Sequence, residues 1–213
     1  MMNELEKNGF AVIPYVYSEQ TILELNHEHQ KYWTAFRDAG VVNNNGVGSF
    51  RRHTVLFLEK GRYDLDLDFG IFRSSKLLDN AIIRSIVDKT IKSNYICYAG
   101  SLPSVPNSEN GSWHRDVYSL FDDEKLELSL PIFYITVLIP LGDINRINGA
   151  TEFIVGSHRR RGKSGERIIA EAKVGSAIVC NGMVYHRGRA NRSDTERHVL
   201  YVVYCKRWYR DYF

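Results

Sequence analysis

The sequence predicts a mainly β protein in which a helical N-terminal portion packs on a C-terminal β-barrel or sandwich. From residue 94 onward, short apolar runs are separated by glycine, asparagine and proline, which is typical of these two all-β architectures. Ahead of that point, two segments repeat apolar residues at helical spacing. The length of 213 residues, with 44% hydrophobic and 25% charged residues, fits one ordered globular domain.

The N-terminal helices follow from capping residues and periodicity. Ser18 is a suitable N-cap, apolar residues then recur every three or four positions, and Gly40 is a stop signal. A second apolar stripe runs from about Ser75 to Ile91. The predicted elements are a strand at 9–16, a helix at 18–40, a turn-rich loop at 41–49, a strand at 53–58 and a helix at 75–91.

Most of the strands are predicted in the C-terminal portion. After NYICYAG (94–100) and a loop with two prolines, the β-like runs are WHRDVYSL (113–120), LPIFYITVLIPL (130–141), ATEFIV (150–155), ERIIA (166–170), SAIVCNG (176–182) and RHVLYVVYC (197–205). We therefore expect a single domain over residues 1–213. In it, residues 1–93 form a helical portion and a lid segment that pack on a core of residues 94–213.

Charge and cysteine content argue against several classes of protein. A net charge of +3 is too small to indicate nucleic-acid binding, although RRRGK (159–163) makes a local positive patch. The three cysteines lie far apart, so we expect small buried side chains and neither disulfides nor a zinc site. No apolar run has transmembrane length, and the N-terminus lacks an apolar signal region. We expect a soluble cytoplasmic protein, monomeric or homodimeric, with no nucleic-acid or membrane partner.

A histidine and an aspartate two residues apart are the first candidates for chemistry. In an extended strand, His114 and Asp116 project from the same face. His186 follows the predicted strand SAIVCNG, which we expect to run beside the first. Two imidazoles and one carboxylate form the facial triad of non-haem Fe(II) oxygenases, which leaves coordination positions open. Zinc, with water as a fourth ligand, uses the same three residues equally well.

An arginine eleven residues after His186 favours iron with 2-oxoglutarate as co-substrate. Arg197 begins a strand whose alternation places it on an apolar face with Val199 and Tyr201. A buried guanidinium is tolerated when a carboxylate binds it in a bidentate manner. The distal carboxylate of 2-oxoglutarate is such a partner, and a zinc hydrolase leaves the arginine unexplained.

Three motifs in order resemble the phytanoyl-CoA dioxygenase family of Fe(II)/2-oxoglutarate-dependent oxygenases. They are WHRD, INGATEFIVGSH (147–158) and YHRGRANRSDTERHVLYVVY (185–204). The resemblance implies a double-stranded β-helix, that is, a jelly-roll or cupin-like barrel. It also implies that His114, Asp116 and His186 bind Fe(II) and that Arg197 anchors the C5 carboxylate of 2-oxoglutarate. The implied reaction uses O2 to hydroxylate a small molecule and releases succinate and CO2.

The chain departs from the family pattern at two positions. It has IVGSH where relatives often carry a proline before GSH, and His158 in this segment is expected to be structural. It has Gly188 where relatives often carry a serine or threonine that hydrogen-bonds the co-substrate. The predicted replacements for that contact are Tyr134, Thr136 and Tyr98.

Two rival functions and the substrate stay open at this point. A related halogenase is disfavoured because such enzymes replace the carboxylate that Asp116 retains, and the other rival is a non-catalytic cupin-like binding protein. The substrate is an unidentified small molecule, and we expect residues 43–70 to determine specificity. Arg51, Arg52 and His53, together with RRRGK, are the candidates for binding an anionic substrate.

Overall fold

The computed structural model describes residues 2–40 and 46–210. Its α-helices are α1 (Met2–Asn8), α2 (Glu19–Asp38), α3 (Ser75–Leu78), α4 (Ala81–Thr90) and α5 (Glu124–Leu128). Its strands are β1 (Phe10–Ile13), β2 (Gly46–Phe50), β3 (His53–Phe57), β4 (Tyr63–Asp66), β5 (Tyr95–Ser101), β6 (Tyr134–Pro140), β7 (Thr151–Ile154), β8 (Arg167–Ala170), β9 (Ala177–Asn181), β10 (His186–Gly188) and β11 (Val199–Lys206).

The strands form two antiparallel sheets that enclose an apolar core. The larger sheet has the order β1-β9-β6-β11-β5-β4-β3-β2, and the smaller has the order β10-β7-β8. Phe10 from the larger sheet and Phe153 from the smaller stack with their ring centroids 4.2 Å apart. Burial of such side chains between facing sheets drives their association. The predicted jelly-roll fold with N-terminal helices is therefore confirmed.

The helices cover the outer face of the larger sheet. Along β6, Leu138 belongs to the core between the sheets, whereas Val137 and Ile139 pack in the cluster that contains Trp33 of α2 and Ile86 of α4. Successive residues of a strand point to opposite faces. Every residue of β6 is buried because both faces of the sheet are covered.

The long predicted helix is confirmed as α2. The Ser18 side chain accepts a hydrogen bond from the backbone N–H of Thr21, as an N-cap does. The helix ends at Asp38, and Gly40 adopts a left-handed φ of +58° that does not continue a helix.

The second predicted helix, over residues 75–91, is wrong as a single element. Asp79 leaves the helical region, with φ −130° and ψ 34°, and Asn80 then starts α4. The Asn80 side chain accepts hydrogen bonds from the N–H groups of Ile82 and Ile83. An asparagine that caps a new helix interrupts an otherwise continuous apolar stripe.

The predicted strand at 113–120 is also wrong. His114 forms an isolated antiparallel pair with His186, but the N–H of Asp116 donates to the carbonyl of Gly182. A regular antiparallel ladder would bring Asp116 opposite residue 184, so the pairing slips by two residues and the ladder stops.

Residues 46–66 lie within the 43–70 segment that was expected to determine specificity, and that role stays a prediction. They form β2, β3 and β4, which extend the larger sheet from β5. Residues 41–45 of the predicted loop lie outside the described residues, and residues 46–49 belong to β2. The division expected at residue 94 therefore does not coincide with a break in the sheet.

Two smaller expectations concern membrane spans and cysteines. Over residues 2–40 and 46–210, no helix combines the length and the apolar character needed to cross a bilayer. Cys180 and Cys205 are buried as expected, but the expectation of burial is wrong for Cys97, which is exposed on β5.

Candidate metal centre

The two histidines of the predicted triad are brought together by strand pairing. The N–H of each residue donates to the carbonyl of the other at 3.0 Å, so His114 and His186 lie directly opposite each other. Side chains of paired residues project from the same face. Their imidazole rings accordingly lie 4.4 Å apart between centroids.

Asp116 completes a cluster of three donor atoms. Its Oδ1 lies 3.3 Å from Nε2 of His186 and 3.8 Å from Nε2 of His114. One donor atom from each residue lies within 4.8 Å of the other two. Ligands about 2.1 Å from one ion, at right angles, lie about 3 Å apart, so a small contraction would allow all three to coordinate it.

Backbone carbonyls set the orientation of both imidazoles. Nδ1 of His114 lies 2.8 Å from the carbonyl of Ser112, and Nδ1 of His186 lies 3.1 Å from that of Val184. With the proton on Nδ1, each ring donates there and presents the lone pair of Nε2. Both Nε2 atoms face Asp116, which is the arrangement a metal requires.

Thr136 of β6 orients the carboxylate. Its hydroxyl donates to Oδ2 of Asp116 at 2.5 Å, which leaves Oδ1 directed at the histidines. A residue of the larger sheet thereby orients Asp116, which itself lies outside the strands. Tyr98 and Tyr134, the other two residues expected to contact the co-substrate, lie with their hydroxyls 2.9 Å apart. Their role as co-substrate contacts stays a prediction.

The cluster is closed on one side and open on the other. The side chain of His186 is 9% exposed and that of Asp116 is 16% exposed, whereas that of His114 is 52% exposed. Burial lowers the pKa of His186, although the Asp116 charge opposes this. A neutral imidazole is the form that binds a metal.

Arg197 is buried and has no counter-ion among the described residues. It is 5% exposed, and its Nη1 donates to the carbonyl of Leu102 at 3.2 Å. Its Nε and Nη2 have no hydrogen-bond partner within residues 2–40 and 46–210. Burial, and then repulsion by Arg62, lower the pKa of Arg197 to about 9. Of the neighbouring arginines, Arg189 is paired with Glu152 and Arg192 is exposed.

Two charged residues near the cluster were missed by the sequence reasoning. Asp64 of β4 accepts a hydrogen bond from the Tyr201 hydroxyl at 2.9 Å, and burial raises the pKa of Asp64 to about 7. Arg62 is 6% exposed and lies close enough to Arg197 to repel it. The alternation of RYDLD places Arg62 and Asp64 on one strand face, and this signal was available in the sequence.

Several other predicted positions have structural contacts. Nε2 of His158 lies 3.0 Å from the carbonyl of Glu6, away from the triad, in agreement with the expected structural role. In RRRGK, Arg160 donates to the carbonyls of Val155 and Ser164. Arg161 donates to carbonyls of the loop before α5. These contacts use part of the donor capacity that an anionic substrate would need.

The donor set fits a divalent metal with open coordination positions. Two neutral imidazoles and one carboxylate on the same side of an ion suit Fe(II), and the same residues suit zinc. Thr136 and the carbonyls of Ser112 and Val184 orient the three candidate ligands.

Curated relatives include two fungal dioxygenases. The chain is 26% identical over 212 residues to dioxygenase FUM3 of Gibberella moniliformis, an alignment that covers 94% of this chain and 69% of the relative. It is 35% identical over 122 residues to the Fe(II)/2-oxoglutarate-dependent dioxygenase nvfF of Aspergillus novofumigatus, over 53% of this chain and 40% of the relative.

Solved structures share the fold at low sequence identity. AviO1 of Streptomyces viridochromogenes superposes with a TM-score of 0.74 at 18% identity, over 99% of this chain and 95% of its own. HygX of Streptomyces hygroscopicus, solved with nickel, 2-oxoglutarate and hygromycin B, superposes with a TM-score of 0.71 at 14% identity, over 100% of this chain and 88% of its own.

The sequence profile of the phytanoyl-CoA dioxygenase (PhyH) family matches residues 5–199, which include the strands of both sheets up to the start of β11 and all three residues of the triad. The chain therefore belongs to the phytanoyl-CoA dioxygenase family.

Proposed function

We propose that this protein is an Fe(II)- and 2-oxoglutarate-dependent dioxygenase that hydroxylates a small molecule and releases succinate and CO2. The observation that carries the proposal is the convergence of three metal-ligand atoms, from His114, Asp116 and His186, in one barrel with a buried arginine that lacks a counter-ion. The relatives named as dioxygenases, and the family itself, support the same reaction class.

Each residue of the site has a defined task in this proposal. His114, Asp116 and His186 would hold Fe(II), and Arg197 would bind the C5 carboxylate of 2-oxoglutarate. When bound, iron and 2-oxoglutarate supply the activation of O2 and the oxidising power that no amino-acid side chain provides. Thr136 keeps one carboxylate oxygen of Asp116 directed at the iron position.

The apolar core keeps water from the buried end of the site. Leu138 and Val199 belong to the cluster between the sheets, and Leu102, whose carbonyl accepts a hydrogen bond from Arg197, packs against this cluster. A low-polarity surrounding strengthens the attraction between Arg197 and a carboxylate. It also limits side reactions of the oxidising site with water.

The substrate would approach from the side of His114, the most exposed ligand. The loop that follows Asp116 exposes Tyr118, Leu120 and Phe121. Buried Glu127 accepts hydrogen bonds from the N–H groups of Leu120 and Phe121, at 3.0 Å each, and so holds this loop in place. Exposed apolar side chains beside a reactive centre favour a small molecule with an apolar surface. Binding of an anionic substrate stays a prediction.

The rival functions fit the contacts less well. A halogenase would need the carboxylate position vacant, but Asp116 is present and oriented by Thr136. A zinc hydrolase would leave the unpartnered nitrogens of Arg197 without a purpose. A non-catalytic binding protein would not need one face of the metal open to solvent and substrate.

The test is formation of succinate from 2-oxoglutarate under O2 with added Fe(II) and ascorbate. We expect the wild type and Arg192→Ala, an exposed-arginine control, to form succinate, and Asp116→Ala and Arg197→Ala to lose most of it. The visible absorption band of the anaerobic Fe(II) complex with 2-oxoglutarate reports binding where uncoupled turnover is slow. Equal activity in all four proteins, or no band in the wild type, contradicts the proposal.

A further inference from the structure

The larger sheet places a second arginine beside Arg197. Ser104 pairs in antiparallel fashion with Arg62 on one side and with Arg197 on the other. These two pairs continue the registers of β4 with β5 and of β5 with β11. Residues that pair across neighbouring strands point to the same face. Arg62, Ser104 and Arg197 thus form one row across three strands.

Both arginines of this row are buried and incompletely bonded. Arg62 is 6% exposed, and its Nη1 donates to the carbonyl of Arg189 at 3.1 Å. Its Nε has no hydrogen-bond partner in the part of the chain that the structure describes. Glu59 attracts Arg62 electrostatically. Its carboxylate, however, accepts a hydrogen bond from the backbone N–H of Ser112 and not from Arg62. Among residues 2–40 and 46–210, neither guanidinium forms an ion pair within 4.0 Å.

Two neighbouring buried cations without an ion pair would be stabilised by an anion between or beside them. Burial disfavours each charge, and repulsion between Arg62 and Arg197 adds to the cost. A carboxylate would compensate the charge and bond the free nitrogens.

The guanidinium of Arg62 lies where a side chain at position 188 would be, and the residue there is Gly188. This residue lies in β10 two positions after His186, and its φ is not in the left-handed region, so its backbone does not require glycine. A Cβ atom at Gly188 would lie 2.6 Å from Cζ of Arg62 and closer still to Nη2. The guanidinium of Arg62 thus occupies the space of a side chain at position 188.

This space lies at a suitable distance from the metal ligands. Two residues of a strand span about 7 Å. The Arg62 guanidinium is therefore about one strand repeat from His186, on the same face of β10. 2-Oxoglutarate is a five-carbon diacid. With its keto-acid end near the triad, its second carboxylate would extend towards the Arg62 guanidinium.

We propose that Arg62 and Arg197 together bind the distal carboxylate of 2-oxoglutarate, with Arg62 in the place of the side chain that Gly188 lacks. This inference rests on the proposed function, because it concerns the co-substrate of that reaction. It extends the site by a residue from β4, about 135 positions before Arg197 in the sequence. It also explains why position 188 is glycine.

The test compares two ligands that differ only at the distal end. 2-Oxopentanoate has the keto acid of 2-oxoglutarate but a methyl group in place of the distal carboxylate. The Kd of each is measured by isothermal titration calorimetry on nickel-loaded protein, so the readout is independent of turnover. The ratio of the two Kd values isolates recognition of the distal carboxylate.

We expect wild type to prefer 2-oxoglutarate strongly. Arg62→Ala should reduce this preference by about 10- to 100-fold, the usual effect of losing a hydrogen bond to a charged group. Arg62→Lys should lie between the two, and exposed Arg192→Ala should match wild type. Affinity for 2-oxopentanoate should change little in all of them.

A substitution pair separates binding from a structural role. Gly188→Ser alone should weaken 2-oxoglutarate binding, because its Cβ collides with Arg62. Arg62→Ala combined with Gly188→Ser should recover part of the preference, because the collision is relieved and a hydroxyl becomes available. A purely structural role for Arg62 predicts no recovery and equal losses for both ligands.

The outcomes distinguish this inference from the proposed function. If nickel-loaded wild type does not prefer 2-oxoglutarate over 2-oxopentanoate, both fail. If Arg197→Ala loses the preference but Arg62→Ala and Arg62→Lys keep it, only the role of Arg62 is overturned. If Arg62→Ala does not fold, the Arg62→Lys variant and the double variant show whether Arg62 binds the distal carboxylate.

Discussion

Replacement of Arg197 by methionine is expected to stabilise the ligand-free protein and to weaken its binding of 2-oxoglutarate. The arginine is 5% exposed, and none of the described residues bonds its Nε or Nη2. A buried charge without a counter-ion opposes folding, whereas methionine fills similar space without a charge.

The size of the effect follows from the pKa of Arg197. Burial, and then repulsion by Arg62, lower this pKa from the usual arginine value to about 9. At about 1.4 kcal/mol per pKa unit, the fall opposes folding by up to about 5 kcal/mol at neutral pH. Relaxation of the protein and loss of the hydrogen bond to Leu102 reduce the gain. We expect a net stabilisation of about 1–3 kcal/mol, with Tm rising by roughly 2–4 °C per kcal/mol.

The sign of the pH dependence follows from the same pKa. Below about pH 9, Arg197 is protonated in both the folded and the unfolded chain, so the folded protein carries the full cost of the buried charge. As the pH rises above 9, the folded protein loses this proton while the unfolded chain, with the usual arginine pKa, keeps it. The advantage of Arg197→Met should therefore be full at pH 7 and decrease above pH 9.

The assay is thermal unfolding of wild type, Arg197→Met and Arg192→Met, each with and without nickel and 2-oxoglutarate. Arg192 is exposed, so its variant controls for loss of a charge at the surface. We expect 2-oxoglutarate to raise the Tm of nickel-loaded wild type and Arg192→Met but not that of Arg197→Met. The reasoning is refuted if ligand-free Arg197→Met is less stable than wild type at pH 7, or if 2-oxoglutarate stabilises it as much as wild type.

Three further predictions concern the metal ligands and a buried acid. Thr136→Val should weaken nickel binding about 10- to 100-fold because Asp116 loses its orienting hydrogen bond, whereas Thr136→Ser should not; equal affinities in a metal titration would contradict this. Chelation of the metal should lower the Tm of nickel-loaded wild type but leave that of Asp116→Ala unchanged, and an equal fall in both would exclude Asp116 as a ligand. Burial raises the pKa of Asp64 to about 7, so the folded protein holds a proton between about pH 4 and 7 that the unfolded chain releases. Stability should fall as the pH rises across this window and less so in Asp64→Asn, measured by urea unfolding at pH 5 and 8; identical pH dependence would refute the assignment.

The sequence predicted elements well where local signals agree. For α2, the cap at Ser18, the apolar spacing and the glycine stop all point to the same boundaries, and the helix runs from Glu19 to Asp38. The prediction of a single second helix was wrong because the sequence allows two roles for Asn80. It can be a polar residue within one helix or the N-cap of a new helix. The Asn80 side chain accepts hydrogen bonds from Ile82 and Ile83 and donates one to the carbonyl of Val16, and this last contact depends on tertiary structure.

The strand prediction at 113–120 failed for a related reason. Its alternation correctly indicates that His114 and Asp116 point the same way, but the pairing partner decides whether a strand forms. The slip between the His114–His186 pair and the contact of Asp116 with Gly182 is a property of two distant segments. No local pattern encodes it.

By itself, the sequence determined the fold class and selected the residues for a metal site, because periodicity and residue chemistry are local properties. The orientation of the site was decided by tertiary structure. The contact of Thr136 with Asp116 joins β6 to an irregular segment, and the row of Arg62, Ser104 and Arg197 joins three strands far apart in the chain. Such contacts depend on the register between strands, and register is a property of the assembled sheet rather than of any one segment.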